Sequence, residues 1–212
     1  MSRKEISAAV IQRLPRYYRY LNELLEQGIE RISSKELSEK MRVTASQIRQ
    51  DLNQFGGFGQ QGYGYNVEHL HMEIGKILGL GKTYPMIIVG AGNIGRALAK
   101  YGDFGQLGFK VIGLFDVNEE IIGKQVGPNE IMHVNEMETF ISENPVDIAI
   151  IAVQKTEAEQ VARNLMSFGI RTFWNFAPVD LHLGEDVVVE NVHLSESLIK
   201  VAYLMGMRDG QE

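Results

Sequence analysis

Cysteine is absent from all 212 residues. That excludes disulfides, thiolate metal sites and thiol redox chemistry, so any redox response has to come through a bound molecule. Long apolar runs are missing too. No stretch reaches the ~20 residues of a membrane-spanning helix and the N-terminus has no signal-peptide hydrophobic region, which predicts a cytoplasmic protein. Histidine is sparse, and His69, His71, His133, His182 and His193 fit no zinc or nucleophile signature. His69 and His71 are two apart on a predicted helix and diverge, so they cannot share a metal. His193 has no carboxylate at a telling spacing. The expectation is no metal site, no catalytic set and no enzyme.

The net charge of −6 is unevenly spread. Residues 1–84 carry 12 Lys/Arg against 9 Asp/Glu, while residues 85–212 carry 9 against 18. A basic front on an acidic remainder directs any polyanion to the first segment.

The most informative stretch is Pro85-Met-Ile-Ile-Val-Gly-Ala-Gly-Asn-Ile-Gly-Arg-Ala-Leu-Ala99. An apolar strand feeds a glycine turn and a helix-forming run, the order a dinucleotide pyrophosphate requires. Gly90 serves the tight turn, Gly92 close backbone approach and Gly95 helix–strand packing. Ala91, Asn93 and Ile94 complete the loop, and the helix amides from Asn93 onward face the phosphates. The next apolar run ends at Asp116, about twenty residues on, where a carboxylate reaches the adenosine ribose and repels a 2′-phosphate. This predicts NADH or NAD+ rather than the phosphorylated cofactor, with Asp116 and Val117 at the ribose end. Asp116 merely capping the turn that follows is the alternative.

Downstream, predicted strands at 147–153, 171–175 and 186–192 alternate with helices. Asn135 with Glu138 and Thr156 with Glu159 are read as caps. The implied fold class is α/β, with a Rossmann-type doubly wound parallel sheet. Its strand ends nominate Val153, Gln154, Lys155, Asn175, Phe176, Ala177 and Pro178 as pocket walls. The last helix, near 194–207, is apolar around its circumference, and by itself favours burial in its own domain.

Upstream, a short helix over 7–13 is followed by another with Pro15 in its first turn. Ser33 with Glu36 and Thr44 with Gln47 read as capping boxes on two helices joined by Arg42-Val43, a helix-turn-helix. The glycine–aromatic run 55–65 reads as the hairpin wing of a winged helix. Thr44, Ser46, Gln47, Arg49 and Gln50 make a polar face of the kind that reads bases from the major groove. The expected domains are a winged-helix DNA-binding domain over 1–79, a linker over 80–84, an NAD(H)-binding domain over 85–192 and a dimerisation helix and tail over 193–212.

Several longer marks fall into one pattern: Arg13-Leu-Pro-Arg-Tyr-Tyr-Arg19, Ser33-Ser34 with Glu36-Leu37, Gln47-Ile-Arg-Gln-Asp-Leu52, Phe55-Gly56, Gly62-Tyr-Gly-Tyr65, the glycine loop, Asn175-Phe-Ala-Pro178 and Val189-Glu-Asn-Val192. In these the chain resembles the Rex family of redox-sensing transcriptional repressors over nearly its whole length. The resemblance implies a homodimer that binds an inverted-repeat double-stranded DNA operator when NADH is scarce and leaves it when NADH binds. It also implies a last helix swapped onto the other subunit, with Leu194 near the nicotinamide, which reverses the self-burial expectation. DNA-contacting residues would be Arg13, Arg16, Ser33, Ser34, Thr44, Ser46, Gln47, Arg49, Gln50, Asn53, Gln60, Gln61 and Gly62. A cofactor-linked network of some members maps onto Arg19, Tyr101 and His193, where those members have Asp at the third position and Phe in place of Leu194. Gln50 stands where many members have Lys, which predicts a shift toward adenine at one half-site position. An NAD-dependent dehydrogenase with an N-terminal oligomerisation domain is the rival reading. A CoA-binding-type module with an interaction arm is the third.

Overall fold

The computed structural model describes residues 7–54, 59–60 and 63–209. Backbone contacts divide the chain into two units, Met1–Lys82 and Thr83–Glu212.

The first unit runs α1 (Ala8–Glu26), β1 (Arg31–Ile32), α2 (Ser34–Met41), α3 (Ala45–Asn53), β2 (Gly59–Gln60), β3 (Gly64–Asn66) and α4 (Val67–Ile77). The three short strands form an antiparallel sheet in the order β1-β3-β2. This is the winged helix-turn-helix arrangement. The two helices expected at 7–13 and from Pro15 are one helix with Pro15 inside it. Val10, Leu14, Tyr17, Leu21 and Leu24 lie at helical spacing on either side of the proline and are all buried. One continuous stripe against the core outweighs the ~3 kcal/mol a mid-helix proline costs. α2 carries the full capping box: Ser33 Oγ accepts from Glu36 N and Glu36 Oε2 accepts from Ser33 N. The box expected at Thr44 is only half present. Thr44 Oγ1 accepts from Gln47 N, but the Gln47 side chain turns away to Asp51. A carboxylate is the stronger acceptor.

The second unit runs β4 (Tyr84–Val89), α5 (Asn93–Ala99), α6 (Asp103–Gln106), β5 (Phe109–Asp116), β6 (Gln125–Val126), β7 (Asn129–His133), α7 (Met137–Glu143), β8 (Ile148–Ile151), α8 (Lys155–Ser167), β9 (Thr172–Asn175), β10 (Val188–Asn191) and α9 (Leu194–Asp209). The sheet order is β10-β9-β8-β4-β5-β7-β6. Every pairing is parallel except the antiparallel edge of β6 on β7. Without β6, that is the 3-2-1-4-5-6 order of a doubly wound sheet, whose ligand crevice opens where the order reverses, between β4 and β8. Ile87, Val89, Ala149 and Ile151 pack on one face of the sheet, and Met86, Ile88, Leu114 and Ile150 on the other.

Four local features differ from expectation. The β6–β7 hairpin has too little alternation to announce itself. Before α7 the cap is His133, whose Nδ1 accepts from Asn135 N while Glu136 Oε1 accepts from His133 N. α8 begins at Lys155 with Gln154 in the cap position and no side-chain cap, because β8 delivers the chain two residues earlier than the Thr156–Glu159 pattern requires. α9, expected on its own pattern to bury itself, is exposed along its described length, with Leu198 70% and Ile199 68% exposed.

Candidate dinucleotide cleft and nucleic-acid face

The strand–loop–helix unit at Gly90 is closed by backbone contacts. Gly90 has φ +102°, a conformation that side chains other than glycine's rarely adopt, and a Cβ there would run into the Ala152 carbonyl of the neighbouring strand's exit. A Cβ at Gly95 would land on the Gly90 carbonyl oxygen. Gly92 differs, since a Cβ there meets nothing within 4 Å. It begins α5 with no side-chain cap, so the first amides of the helix are left for a ligand.

Gly92 lines a cleft of about 600 Å³ with Val89, Gly90, Asn93, Ile94, Asp116, Val117, Val134, Val153, Gln154, Glu157 and Val161 among its walls. A second lobe of about 650 Å³ shares Val117, Val134, Glu157 and Val161 and runs between α7 and α8 past Glu138 to Phe168. Every charged residue lining either lobe is acidic. A pyrophosphate must therefore be met by backbone amides, and a 2′-phosphate would find only like charge. Asp116 makes the turn cap weighed as its alternative role, and a second bond besides. Its Oδ1 accepts from Asn118 N at 2.9 Å, capping the turn, and its Oδ2 accepts from Ala91 N at 2.6 Å, tying β5 to the glycine loop.

The residues nominated at the other strand ends divide. Val153 and Gln154 line the cleft. Lys155, Tyr101, Phe176 and Pro178 do not, and Lys155, Tyr101 and Pro178 are exposed. Asn175 and Ala177 are interior. The Asn175 amide holds its own turn, with Oδ1 accepting from Ala177 N and Nδ2 donating to Val179 O and Asn191 Oδ1. Tyr101 packs on Phe104 and, through it, joins a row of rings that continues to Trp174 and Phe176. The hydrogen bond to Asp103 raises its hydroxyl above the ordinary tyrosine range. Glu157 and Val161 were not foreseen. Their helix is legible, but its facing is not.

His193, which shows no partner in the sequence, has one: Nε2 lies 2.8 Å from Asp180 Oδ1. The contact joins the loop after β9 to the residue that opens α9. The hydrogen bond to Asp180 holds His193 above its ordinary value, against partial desolvation. The pair is therefore complete below the ordinary histidine pKa of ~6.5 and is lost as pH rises through the raised value. Histidine titration by NMR should place His193 above ~6.5 and return it there in Asp180→Asn. An unchanged value in that variant would assign the shift elsewhere.

In the first unit, Ser46, Arg49, Gln50 and Asn53 of α3 are exposed. Arg13, Gln47, Gln50 and Asn53 line one open groove of about 640 Å³ beside the start of α1. Two half-buried members of the nominated DNA contacts are already committed. Arg13 Nε and Nη2 donate to Asp51 at 2.7 and 2.8 Å, and Gln47 Nε2 donates to Asp51 Oδ1 at 2.8 Å. The Tyr17 hydroxyl also donates to Asp51, at 2.9 Å. Burial alone would raise the Asp51 carboxyl, but hydrogen bonds from Arg13, Gln47 and Tyr17 prevail and lower it. Arg16 Nη2 donates to the Met41 carbonyl at the end of α2, and Arg49 Nη1 to Ser34 Oγ, tying α3 to α2. Arg19 lies over the Tyr20 ring and near Glu23. Gln61 and Gly62 lie outside the described residues. So does the side chain of Gln60, whose backbone is in β2. Asp51 was missed, although an acid between Ile48 and Leu52 on the inward face signals a paired, buried charge.

Comparison with known proteins agrees with both halves. A family model for a putative DNA-binding protein N-terminus matches residues 5–53, and one for a CoA binding domain matches residues 81–179. The redox-sensing transcriptional repressor Rex of Thermoanaerobacter pseudethanolicus is 55% identical over 204 residues, 96% of this chain and 91% of that protein. That of Clostridium perfringens is 54% identical over 207 residues, 98% of each chain. Among solved structures, RSP in complex with beta-NAD+ and operator DNA matches with a TM-score of 0.90 at 54% identity, covering 97% of this chain and 95% of that one. RSP in complex with beta-NADH matches with a TM-score of 0.90 at 51% identity, covering 97% of each. Identity at this level over nearly the full length leaves no room for a dehydrogenase or a free-standing CoA module: the chain belongs to the Rex family of redox-sensing transcriptional repressors.

Proposed function

We propose that this protein represses transcription by binding an inverted-repeat operator as a homodimer in the cytoplasm when NADH is scarce, and that NADH releases it. The observation that carries this is one chain holding both an α3 polar face and an acid-lined cleft whose glycine loop is open at Gly92. The cleft suits an adenine dinucleotide in size and in the charges of its walls. NADH and NAD+ are regulatory ligands, not turned over. They differ by a positive charge on the oxidised nicotinamide ring, and that difference is the signal.

The proposed roles follow the sheet order. Gly90 to Gly95 hold the pyrophosphate, Asp116 and Val117 the ribose, and the β8–β9 side receives the nicotinamide near Val153, Lys155 and 175–178. An apolar wall there disfavours the charged ring and accepts the neutral one. The exposed apolar α9 supports a subunit-swapped position, with Leu194 completing that wall from the second copy. Tyr101, Arg19 and His193 are the proposed switch residues, with the His193–Asp180 pair standing in for an acid at that position. Two ligands shift an equilibrium only as far as they bind its two states unequally. Half-site centres lie about one DNA turn apart, roughly 34–36 Å, so a small rotation of the recognition helices suffices to lose the operator.

Fluorescence anisotropy of a palindromic A·T-rich duplex, titrated with NADH and then NAD+, tests the whole reading. NADH should weaken binding by about tenfold or more, within the usual range of allosteric coupling, and NAD+ should not. Equal operator affinity with and without NADH would refute it.

A further inference from the structure

Arg42 closes α2 at φ +55°, and among the described residues it is the one residue other than glycine at positive φ. The amides of Arg42 and Val43 both donate back to Ser38 O, a helix ending in which glycine is usual at this position. A side chain strains the backbone there, so the arginine is held against a local preference. Strain of this kind points to a role for the side chain. Its surroundings give that role a direction. Val43 packs on the core of the first unit, and Arg42 and Thr44 on either side of it are exposed. Thr44 caps α3, so Arg42 stands just ahead of the helix with the polar face. Arg16 reaches the same turn from α1, its Nη2 donating to Met41 O, the carbonyl of the peptide that leads into Arg42. Lys40 lies in the last turn of α2. Among the described residues, none of Arg16, Lys40 and Arg42 has an acidic side chain within ion-pair distance. Unpaired cations around one turn repel one another in the free protein, and a polyanion relieves that repulsion.

The geometry points to Arg42 as a contact to a phosphate of the operator backbone, made beside Arg16 at the turn between α2 and α3. Such a contact sets the register and tilt of α3 in the groove and carries no sequence information, since every nucleotide presents the same phosphate. The backbone strain is then the cost of placing a cation immediately ahead of the recognition helix. A guanidinium on a long stem reaches a phosphate from a turn that lies outside the groove, where a short polar side chain does not. This rests on the DNA-binding reading proposed above and adds a contact that neither the capping pattern nor the helical spacing singles out.

The test compares the full wild-type chain with Arg42→Gly, Arg42→Gln and Arg42→Lys. Each is titrated into an inverted-repeat operator duplex and into a scrambled duplex of the same length and composition, over a range of salt. Arg42→Gly should hold the wild-type thermal midpoint or raise it by about 4 °C, because the strain is gone. It should nevertheless bind both duplexes about tenfold more weakly, the scale of one hydrogen bond between charged groups. Its plot of log affinity against log salt should flatten by about 0.9 for each chain bound. Arg42→Gln should flatten the plot equally without the thermal gain, and Arg42→Lys should keep the wild-type slope. A lowered thermal midpoint in Arg42→Gly would make the arginine a helix cap and overturn the assignment. An unchanged salt slope in Arg42→Gly and Arg42→Gln, or a loss confined to the operator, would overturn it as well. If the wild type binds the scrambled duplex as tightly as the operator, the parent reading falls instead, and the salt slopes on the scrambled duplex still decide Arg42.

Discussion

Gly95→Ala should unfold much of the second unit near physiological temperature, while Gly92→Ala should leave it folded and strip it of NADH. The two glycines are three residues apart in one loop, but their surroundings differ. At position 95 a methyl group would fall on the Gly90 carbonyl oxygen, with Ile88 Cγ2 also 3.3 Å away. The obstacle is backbone at the end of β4, so no rotamer change relieves it and α5 must lift off the sheet. Overpacking usually costs about 1–3 kcal/mol and more where the backbone is struck. A loss at or above ~3 kcal/mol takes a large share of a total near 5–15 kcal/mol and lowers Tm by roughly 10 °C for a unit of this size. At position 92 a methyl group meets nothing within 4 Å and projects where the pyrophosphate has to approach. Tm should change by less than about 2 °C, a small surface effect, while NADH affinity falls tenfold or more. Thermal scans and NADH fluorescence titrations check both. Equal destabilisation in the two variants would contradict this division, and so would wild-type NADH binding by Gly92→Ala.

Arg13→Met should destabilise the first unit by about 3–5 kcal/mol, because it leaves a buried carboxylate without its cation. Asp51 is 0% exposed and cannot reach water, whereas Arg13 keeps 23% of its side chain exposed. The asymmetry makes removal of the arginine the severe change. The pH dependence has a definite sign. In the wild type the Asp51 carboxyl lies below its ordinary value of ~3.9, so its contribution is complete above pH ~4 and is lost as pH falls through the lower folded value. Without Arg13, burial dominates and raises the carboxyl, so the deficit of the variant should shrink between pH 7 and pH 4. Amide hydrogen exchange in α3 of the full chain measures the stability where it is held. Adding Asp51→Asn to Arg13→Met should recover part of the loss, since a buried neutral amide costs less than an unpaired charge. A deficit that stays constant with pH would exclude Asp51 as its source.

The parts that were legible in the sequence are those whose physics is local. The strand–glycine–helix unit could be read from 85–99 because tight turn, close approach and helix start each restrict a single position. α2 could be read from Ser33 and Glu36 because a capping box closes within one turn. The parts that were not legible depend on a partner far along the chain. Pro15 looked like a helix start, and only the burial of Val10 and Leu14 with Tyr17 and Leu21 carries α1 through it. Arg13 and Gln47 read in the sequence as free polar side chains, and only the packing of α1 on α3 reveals Asp51 between them. His193 and Asp180 meet from two loops that have no common period.

Taken alone, the sequence determined the class of molecule: a winged helix ahead of a doubly wound sheet with a glycine loop of dinucleotide-binding pattern, and no thiol chemistry. Each follows from composition or from spacing within one element, where the covalent chain already brings the interacting groups together. The tertiary structure decided which side chains remain available to act. Asp116 is shared between a turn and the glycine loop, Asn175 is spent on its own turn, and the Gln47 amide is tied to Asp51. A polar side chain reads the same in sequence whether water or a buried carboxylate faces it. Only the fold sets which of the two it meets.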